Sequence, residues 1–325
     1  MVRNKMSKIY IHIGLQKTAS TYLQTKIFPS IQGLYYFGRP YTQVNNAFNS
    51  LQFADEALYD SSLLQKEIEA IKSTARGHPI LISDELFSGY AFWGFVNRGL
   101  IAKRLSEAVP EAEIILFIRN QTDLINSLYN QYVKIGWYSK KLGPEFLYEP
   151  GSGFELDDWI KGKRNGGFSR RRFSQRSLFS PEIFLYSKSL ELYKRLFSKV
   201  HVFLYEDFEK ESHRQIERLG SILDLAINPP CDEGKVVNRG LKQKELKCKI
   251  LENRIATIVG PSNSKLRKIL LKSLTHFQKE QSDSERVDYI RNTLSNAGVF
   301  QDNRLLSELY PEEVPKLSHH YLDEC

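Results

Sequence analysis

The stretch Lys8-Ile-Tyr-Ile-His-Ile-Gly14-Leu-Gln-Lys17-Thr-Ala-Ser20-Thr21-Tyr22 decides the fold. Lys8 to Gly14 is a short apolar run of the kind that forms a buried strand, the polar Gln16 to Thr21 follows, and a helical stretch runs from Tyr22 to Phe28. Working outward, the same punctuation recurs. Ser61 and Ser62 precede Leu64, Ile68 and Ile71 at helical spacing, and after Gly77 and Pro79 the run Ile80 to Ile82 predicts a strand that ends at Asp84 and Glu85. Residues 97 to 108 carry Leu100, Ile101 and Leu105 on a helix, Pro110 breaks the chain, and Ile114 to Ile118 is the most apolar strand, with Arg119 at its carboxyl end. Helices over Thr122 to Ile135 and Phe184 to Leu196 and a strand over Val200 to Tyr205 continue the series. Strands alternating with helices predict an α/β fold, a central parallel sheet flanked by helices.

Beyond Asp224 the pattern is helical only, over Lys244 to Val259, Leu266 to Phe277 and Arg286 to Leu294. Residues 1–240 are therefore expected to form the core and 241–325 a helical extension packed on it. Residues 139–180, rich in Gly, Lys, Arg and Phe, are too long for an ordinary connection and are expected to form a substrate lid. The basic group Lys161, Lys163, Arg164, Arg170 to Arg172 and Arg176 inside it is either a solvated face or a contact for an anionic acceptor.

A chain of 325 residues with 41% hydrophobic content can bury a large core, and its net charge of +8 favours anionic partners without choosing among them. The three cysteines, Cys231, Cys248 and Cys325, form no CxxC or metal-ligand spacing, which argues against a disulfide framework and a zinc site. The N-terminal apolar run is broken by His12 and Gly14 and no stretch of about 18 apolar residues exists, so the reading is a cytoplasmic protein with no transmembrane segment, peripheral membrane contact being left open.

The chemistry begins in the first loop. In open α/β sheets ligands bind beyond the carboxyl ends of the strands, where a helix N-terminus offers unpaired N–H groups to a phosphate. Lys17 with Thr18, Ser20 and Thr21 completes such a cradle. It is not a Walker A loop, because Gln16 and Ile11 stand where that motif needs glycine.

The loop Gln16-Lys-Thr-Ala-Ser-Thr21 resembles the 5′-phosphosulfate loop of sulfotransferases that use 3′-phosphoadenosine 5′-phosphosulfate (PAPS), written PKTGTT or PKSGTT. Gln16 replaces the proline and Ala19 the glycine, the latter a source of strain if the position needs a positive φ. Ile114 to Tyr129 resembles the family's 3′-phosphate segment, an apolar strand, then Arg119 and, eight residues on, Ser127, with Gln121 in place of a proline. Tyr205 to Phe208 and Asn238-Arg239-Gly240 resemble two further family blocks. The resemblance implies that Lys17, Thr18, Ala19, Ser20, Thr21, Tyr22, Arg119, Ser127, Arg239 and Gly240 hold PAPS and its product adenosine 3′,5′-bisphosphate, without a metal. Lys17 would also offset charge on the leaving phosphate and the transferring sulfuryl oxygens. It further implies a base at the end of an inner strand, where Glu85 is the candidate, ahead of Asp84 and His12.

Glycan sulfotransferases of the resembling family carry a glutamate in that place, so the resemblance implies a carbohydrate or glycolipid hydroxyl as acceptor; no nucleic acid is expected as partner, and the oligomeric state is open. Two other readings compete. Ile80 to Glu85 is also compatible with a Walker B strand, making an ATP-dependent kinase or NTPase that uses the 14–21 loop and Asp84 or Glu85 with magnesium. The basic charge and the Arg/Phe-rich segment alternatively suit a nucleic-acid-binding protein, although no known binding motif accompanies them.

Overall fold

The computed structural model describes residues 7–39, 41–91, 94–136, 138, 142, 146, 147, 179–227, 241, 243–259, 269, 270, 282–314, 317 and 319–322. The chain divides into two compact units, Met1–Asn120 with Leu185–Val237 and Gln301–Cys325, and Gln121–Phe184 with Asn238–Phe300.

In chain order the first unit contributes β1 (Ile9–Gly14), α1 (Ser20–Tyr22) running on through a wide turn at Leu23–Ile27, β2 (Tyr35–Gly38), α2 (Tyr41–Val44), α3 (Asn46–Phe53), α4 (Ser61–Ala75), β3 (Ile80–Ser83), α5 (Arg98–Ala108) and β4 (Glu113–Ile118). After α6 (Gln121–Lys134), which belongs to the second unit, come α7 (Tyr186–Leu196), β5 (Lys199–Leu204), α8 (Tyr205–Lys210) and α9 (Ser212–Leu223). Next are α10 (Gln243–Val259) and α11 (Asp283–Asn296) of the second unit, then α12 (Val299–Leu309) and α13 (His319–Leu322).

The α/β expectation holds: among the described residues the sheet has five strands in the order β2-β3-β1-β4-β5, every pair parallel. β2 and the helices α2, α3, α8, α9, α12 and α13 were not anticipated. β2 is only four residues long, Tyr35-Tyr-Phe-Gly38, so it offers little periodicity to read. The first helix starts at Ser20 rather than Tyr22, and the expected helix over Leu266 to Phe277 lies almost wholly outside the described residues.

Parallel pairing on both edges and helices on both faces explain why β1 and β4 are near-continuous apolar runs. Tyr10, Leu81, Ile115, Phe117 and Phe203 pack one face against Leu23, Ile27, Phe28, Phe208, Ile216, Leu219 and Leu223. His12 lies on that same face by the two-residue period of a strand. α4 shows how a connection is built: Asp60 caps its start by accepting from Ser62 N at 2.9 Å, and Leu64, Ile68, Ile71 and Ala75 form its buried stripe.

The second unit is helical in the described residues. Asn253 on α10 donates to the carbonyls of Val133 (2.8 Å) and Tyr138 (3.0 Å), tying α10 to the carboxyl end of α6 and the turn beyond it. Arg286 on α11 donates to Asn126 Oδ1 at 3.2 Å, and a Ser282–Glu285 capping box starts that helix. Most of 139–180 lies outside the described residues; Leu147 and Phe179, which flank the 148–178 span, bridge each other, and Phe179 N donates to Phe146 O at 3.0 Å.

Phe117 is the centre of the sheet's aromatic packing, stacked on Phe203 at 4.8 Å and edge-on to His12 and Phe208 at 5.5 and 5.9 Å. Phe117→Ala is expected to cost about 3–5 kcal/mol of unfolding free energy, read as a lower denaturant midpoint at unchanged slope.

Candidate active site at the carboxyl ends of the strands

All five strands point their carboxyl ends the same way, and each hands over to a polar residue: Lys17 after β1, Arg39 after β2, Asp84 and Glu85 after β3, Arg119 after β4, Glu206 after β5. β1 connects toward β2 and β4 toward β5, so the sheet's switch point lies between β1 and β4.

The loop after β1 is bent by two residues in the left-handed region, Lys17 at φ 70° and Ala19 at φ 62°. The glycine that the resembling family carries at position 19 would fit this backbone freely, whereas an L residue there costs on the order of 1 kcal/mol. The surroundings hold the bend. Leu15 N donates to Phe117 O at 3.5 Å, the Thr18 hydroxyl turns inward to Leu15 O at 2.5 Å, and Leu23 N reaches Ala19 O at 3.0 Å. Thr18 and Ser20 are buried, Gln16, Lys17, Ala19 and Tyr22 half-buried, and Thr21 exposed. Tyr22 meets Phe208 edge-on at 6.2 Å.

Glu85 faces this loop. Ser20 Oγ donates to Glu85 Oε2 at 2.9 Å, and Arg39 Nη1 pairs with Glu85 Oε1. Asp84, one residue earlier, is fully buried. Its Oδ1 accepts from Leu86 N at 3.0 Å, capping the turn Glu85–Ser88, and its Oδ2 accepts from Thr42 Oγ1 at 2.7 Å. Burial raises its pKa in spite of those donors, which act to lower it. Both Asp84 oxygens are thus committed to the fold, while the neighbouring Glu85 keeps 18% of its side-chain surface.

His12 is enclosed. Its Nδ1 lies 2.8 Å from Ser83 Oγ, which also accepts from Gln24 Nε2 at 3.0 Å, and its ring sits between Phe28 and Phe117. The Nε2 atom is buried with no partner, and a Cβ on Gly14 would lie 3.0 Å from it, so the loop approaches the ring this closely only because residue 14 is glycine. Burial depresses the imidazole pKa to about 3, which leaves it neutral at neutral pH.

Arg119 reaches back to the same loop, with Nη1 donating to Lys17 O at 3.0 Å, the guanidinium 4.4 Å above the Tyr205 ring, and Nε buried without a hydrogen-bond partner among the described residues. Tyr186 fixes its backbone: the hydroxyl donates to Arg119 O at 2.5 Å and accepts from Arg119 N at 3.4 Å. Glu206 accepts from Asn120 N at 2.9 Å, and the hydroxyl of Tyr321 donates to its second oxygen, so this carboxylate is committed to the fold. Ser127 is half-buried on α6 in the second unit, and Arg239 and Gly240 lie outside the described residues.

Arg39, Tyr186 and Tyr321 were not anticipated from sequence. Arg39 had a readable signal, the aromatic run Tyr35 to Phe37 followed by a glycine and a cation; Tyr186 and Tyr321 had none, because their partners are 67 and 115 positions away.

No protein-family model matches the chain, and no curated protein matches it by sequence. Among solved structures the chain is similar to a sulfotransferase from Alicyclobacillus acidocaldarius, with a TM-score of 0.43 and 13% identity over 84% of this chain and 97% of that one. It is similar to the sulfotransferase domain from the curacin biosynthetic pathway, at 0.39 and 11% over 89% and 97%. Mouse sulfotransferase SULT7A1 complexed with PAP gives 0.33 and 13% over 97% and 87%. All three are sulfotransferases.

Two stability outcomes follow from this geometry. Ala19→Gly removes the left-handed strain but adds unfolded-state entropy, so unfolding free energy is expected to stay level or rise by up to about 1 kcal/mol, where a loop with ordinary φ at 19 would lose stability. For His12 the folded pKa is about 3 against an ordinary 6.5, so between these values the unfolded chain binds more protons. The stability this residue contributes above 6.5 is therefore lost as pH falls toward 3. His12→Gln is expected to flatten that loss, measured as the difference between urea unfolding curves at pH 7 and pH 5 for the two proteins.

Proposed function

We propose that the first unit binds PAPS beyond the carboxyl ends of its strands and transfers the sulfuryl group to an acceptor hydroxyl of a carbohydrate or glycolipid. The observation that carries this reading is the meeting of Ser20 and Glu85 at 2.9 Å: a carboxylate able to take a proton stands directly against a lysine-bearing loop shaped for phosphate.

The residues present fit the nucleotide. The loop turns twice through left-handed conformations, at Lys17 and Ala19, the kind of backbone from which anion-binding concavities of amides are built. Arg119 offers a buried Nε with no hydrogen-bond partner among the described residues, at the end of the strand in the segment whose sequence resembles the family's 3′-phosphate block. When bound, PAPS would supply the sulfuryl group: its sulfur forms a bond to the acceptor oxygen while the bond to the 5′-phosphate oxygen breaks, that oxygen keeping the electron pair. Lys17 would lie against the developing charge on that side, and Glu85 would receive the acceptor's proton. Ser127, Arg239 and Gly240 are assigned to the 3′-phosphate side by the sequence resemblance alone.

Binding decides the cofactor. In calorimetric titration adenosine 3′,5′-bisphosphate is expected to bind at least about 2 kcal/mol more tightly than 5′-AMP, the scale of hydrogen bonds to charged groups. Because Arg119 also holds the Lys17 carbonyl, Arg119→Ala should weaken both nucleotides, the bisphosphate by more. Equal affinities in the wild type would reject this reading in favour of a magnesium-dependent kinase.

Turnover decides the roles. In a labelled-sulfate transfer screen over glycans and glycolipids, Lys17→Ala is expected to lower kcat by about 10²-fold or more. Glu85→Gln should lower kcat with the bisphosphate affinity nearly unchanged. If Asp84→Asn cripples turnover while Glu85→Gln does not, the proton acceptor is misassigned by one residue.

A further inference from the structure

Two side chains of different standing hold the Glu85 carboxylate. Ser20, on Oε2, belongs to the loop that would hold the donor; Arg39, on Oε1, comes from the end of β2 and takes no part in that loop. We propose that Arg39 is the positioning residue for Glu85 and that Ser20 is its releasable partner, so that Oε2 is the oxygen that takes the acceptor's proton. This inference rests on the sulfotransferase reading.

A serine hydroxyl has one proton and can donate it once. In the structure that proton goes to Glu85 Oε2. When Ser20 turns it instead toward the donor's 5′-phosphate, Oε2 loses its partner and regains a lone pair, so the base would be uncovered only where the loop is occupied. A carboxylate released on both oxygens would swing about its side-chain torsions, and orientation is worth much of a catalytic group's contribution. Arg39 prevents this by keeping Oε1.

The fold supplies Arg39 for this task. Parallel pairing of β2 with β3 sets Phe37 opposite Ile82 and Gly38 opposite Ser83, which brings Arg39, the residue after β2, alongside Asp84. The guanidinium has Nε 4.0 Å from Asp84 Oδ1 as well as Nη1 on Glu85, and so stands between two consecutive carboxylates that would otherwise repel. Asp84 is held independently by Thr42, three residues beyond Arg39, and by Leu86 N, so the β3 end does not depend on Arg39 alone. With 28% of its side chain exposed, Arg39 is ordered by these contacts rather than by enclosure.

The test uses the full chain and the variants R39A, R39K, S20A, E85Q and R39A/E85Q. R39A is expected to lower kcat by about 10-fold or more, the range of a misplaced general base, while the Kd of adenosine 3′,5′-bisphosphate stays within about twofold of wild type. R39K should recover part of the loss, and R39A/E85Q should turn over no more slowly than E85Q, since a positioner has nothing left to position. In the donor-free protein the melting-temperature losses of R39A and E85Q should add to more than that of the double variant. S20A should raise the Kd of the bisphosphate. Additive effects on kcat, or a bisphosphate Kd that rises in R39A by well over twofold, would overturn the role of Arg39; an unchanged Kd in S20A would overturn the release. Where R39A does not fold, R39Q replaces it and is read by the same criteria. A wild type that binds 5′-AMP as tightly as the bisphosphate sinks the sulfotransferase reading itself, whereas a retained preference with additive cycles sinks only this inference.

Discussion

β1 is hydrogen-bonded on both edges, to β3 and to β4, and all six of its residues are buried, so polar groups along this line are confined to enclosed pairings such as His12 with Ser83 until the strand ends. The neighbouring strands obey the same rule. Burying a charge without a partner costs several kcal/mol, and a parallel sheet covered on both faces leaves only the strand ends for Lys17, Arg39, Glu85 and Arg119. That shared direction, rather than any one residue, is what collects four charges from sequence positions 17 to 119 into one place.

Within the cluster the charges are ordered by how far each is committed. Asp84 has both oxygens on the fold and acts as a cap and tie. Glu206 is spent on the Asn120 amide and the Tyr321 hydroxyl. Glu85 is held by two side chains, Ser20 of the loop and Arg39 after β2. Arg119 links the β4 end to the loop through the Lys17 carbonyl, so two segments that lie 102 positions apart in the sequence are mechanically joined. The loop's left-handed residues are held within this frame of donors and acceptors; isolated, the Gln16–Thr21 segment would relax to ordinary backbone.

Much of this was legible in the chain's pattern. β1, β3, β4 and β5 are apolar runs bounded by Gly, Pro or charge, and Arg119 was readable at a strand's end because Ile114 to Ile118 stops there abruptly. β2 was missed because four residues with three aromatics carry no clear period, and Arg39 was missed with it. His12 could be read as a base from its type alone; its enclosure by Phe28 and Phe117 depends on side chains 16 and 105 positions away. Asp84 and Glu85 are chemically equivalent in sequence, and only Thr42 and the Leu86 amide separate their roles.

By itself the sequence determined the alternation of strands and helices, hence the parallel sheet, and the chemical character of the loop after β1, because periodicity and residue type are local properties. Tertiary structure decided which of two adjacent carboxylates faces the loop, which cation holds it, and that Asp302 and Tyr321, near the end of the chain, return to the first unit to bond Ser187 and Glu206. Those outcomes follow from strand order and from pairs separated by 46 to 115 positions. A linear pattern carries no record of such distances, since the free energy of each pair exists only once the sheet has brought its members together.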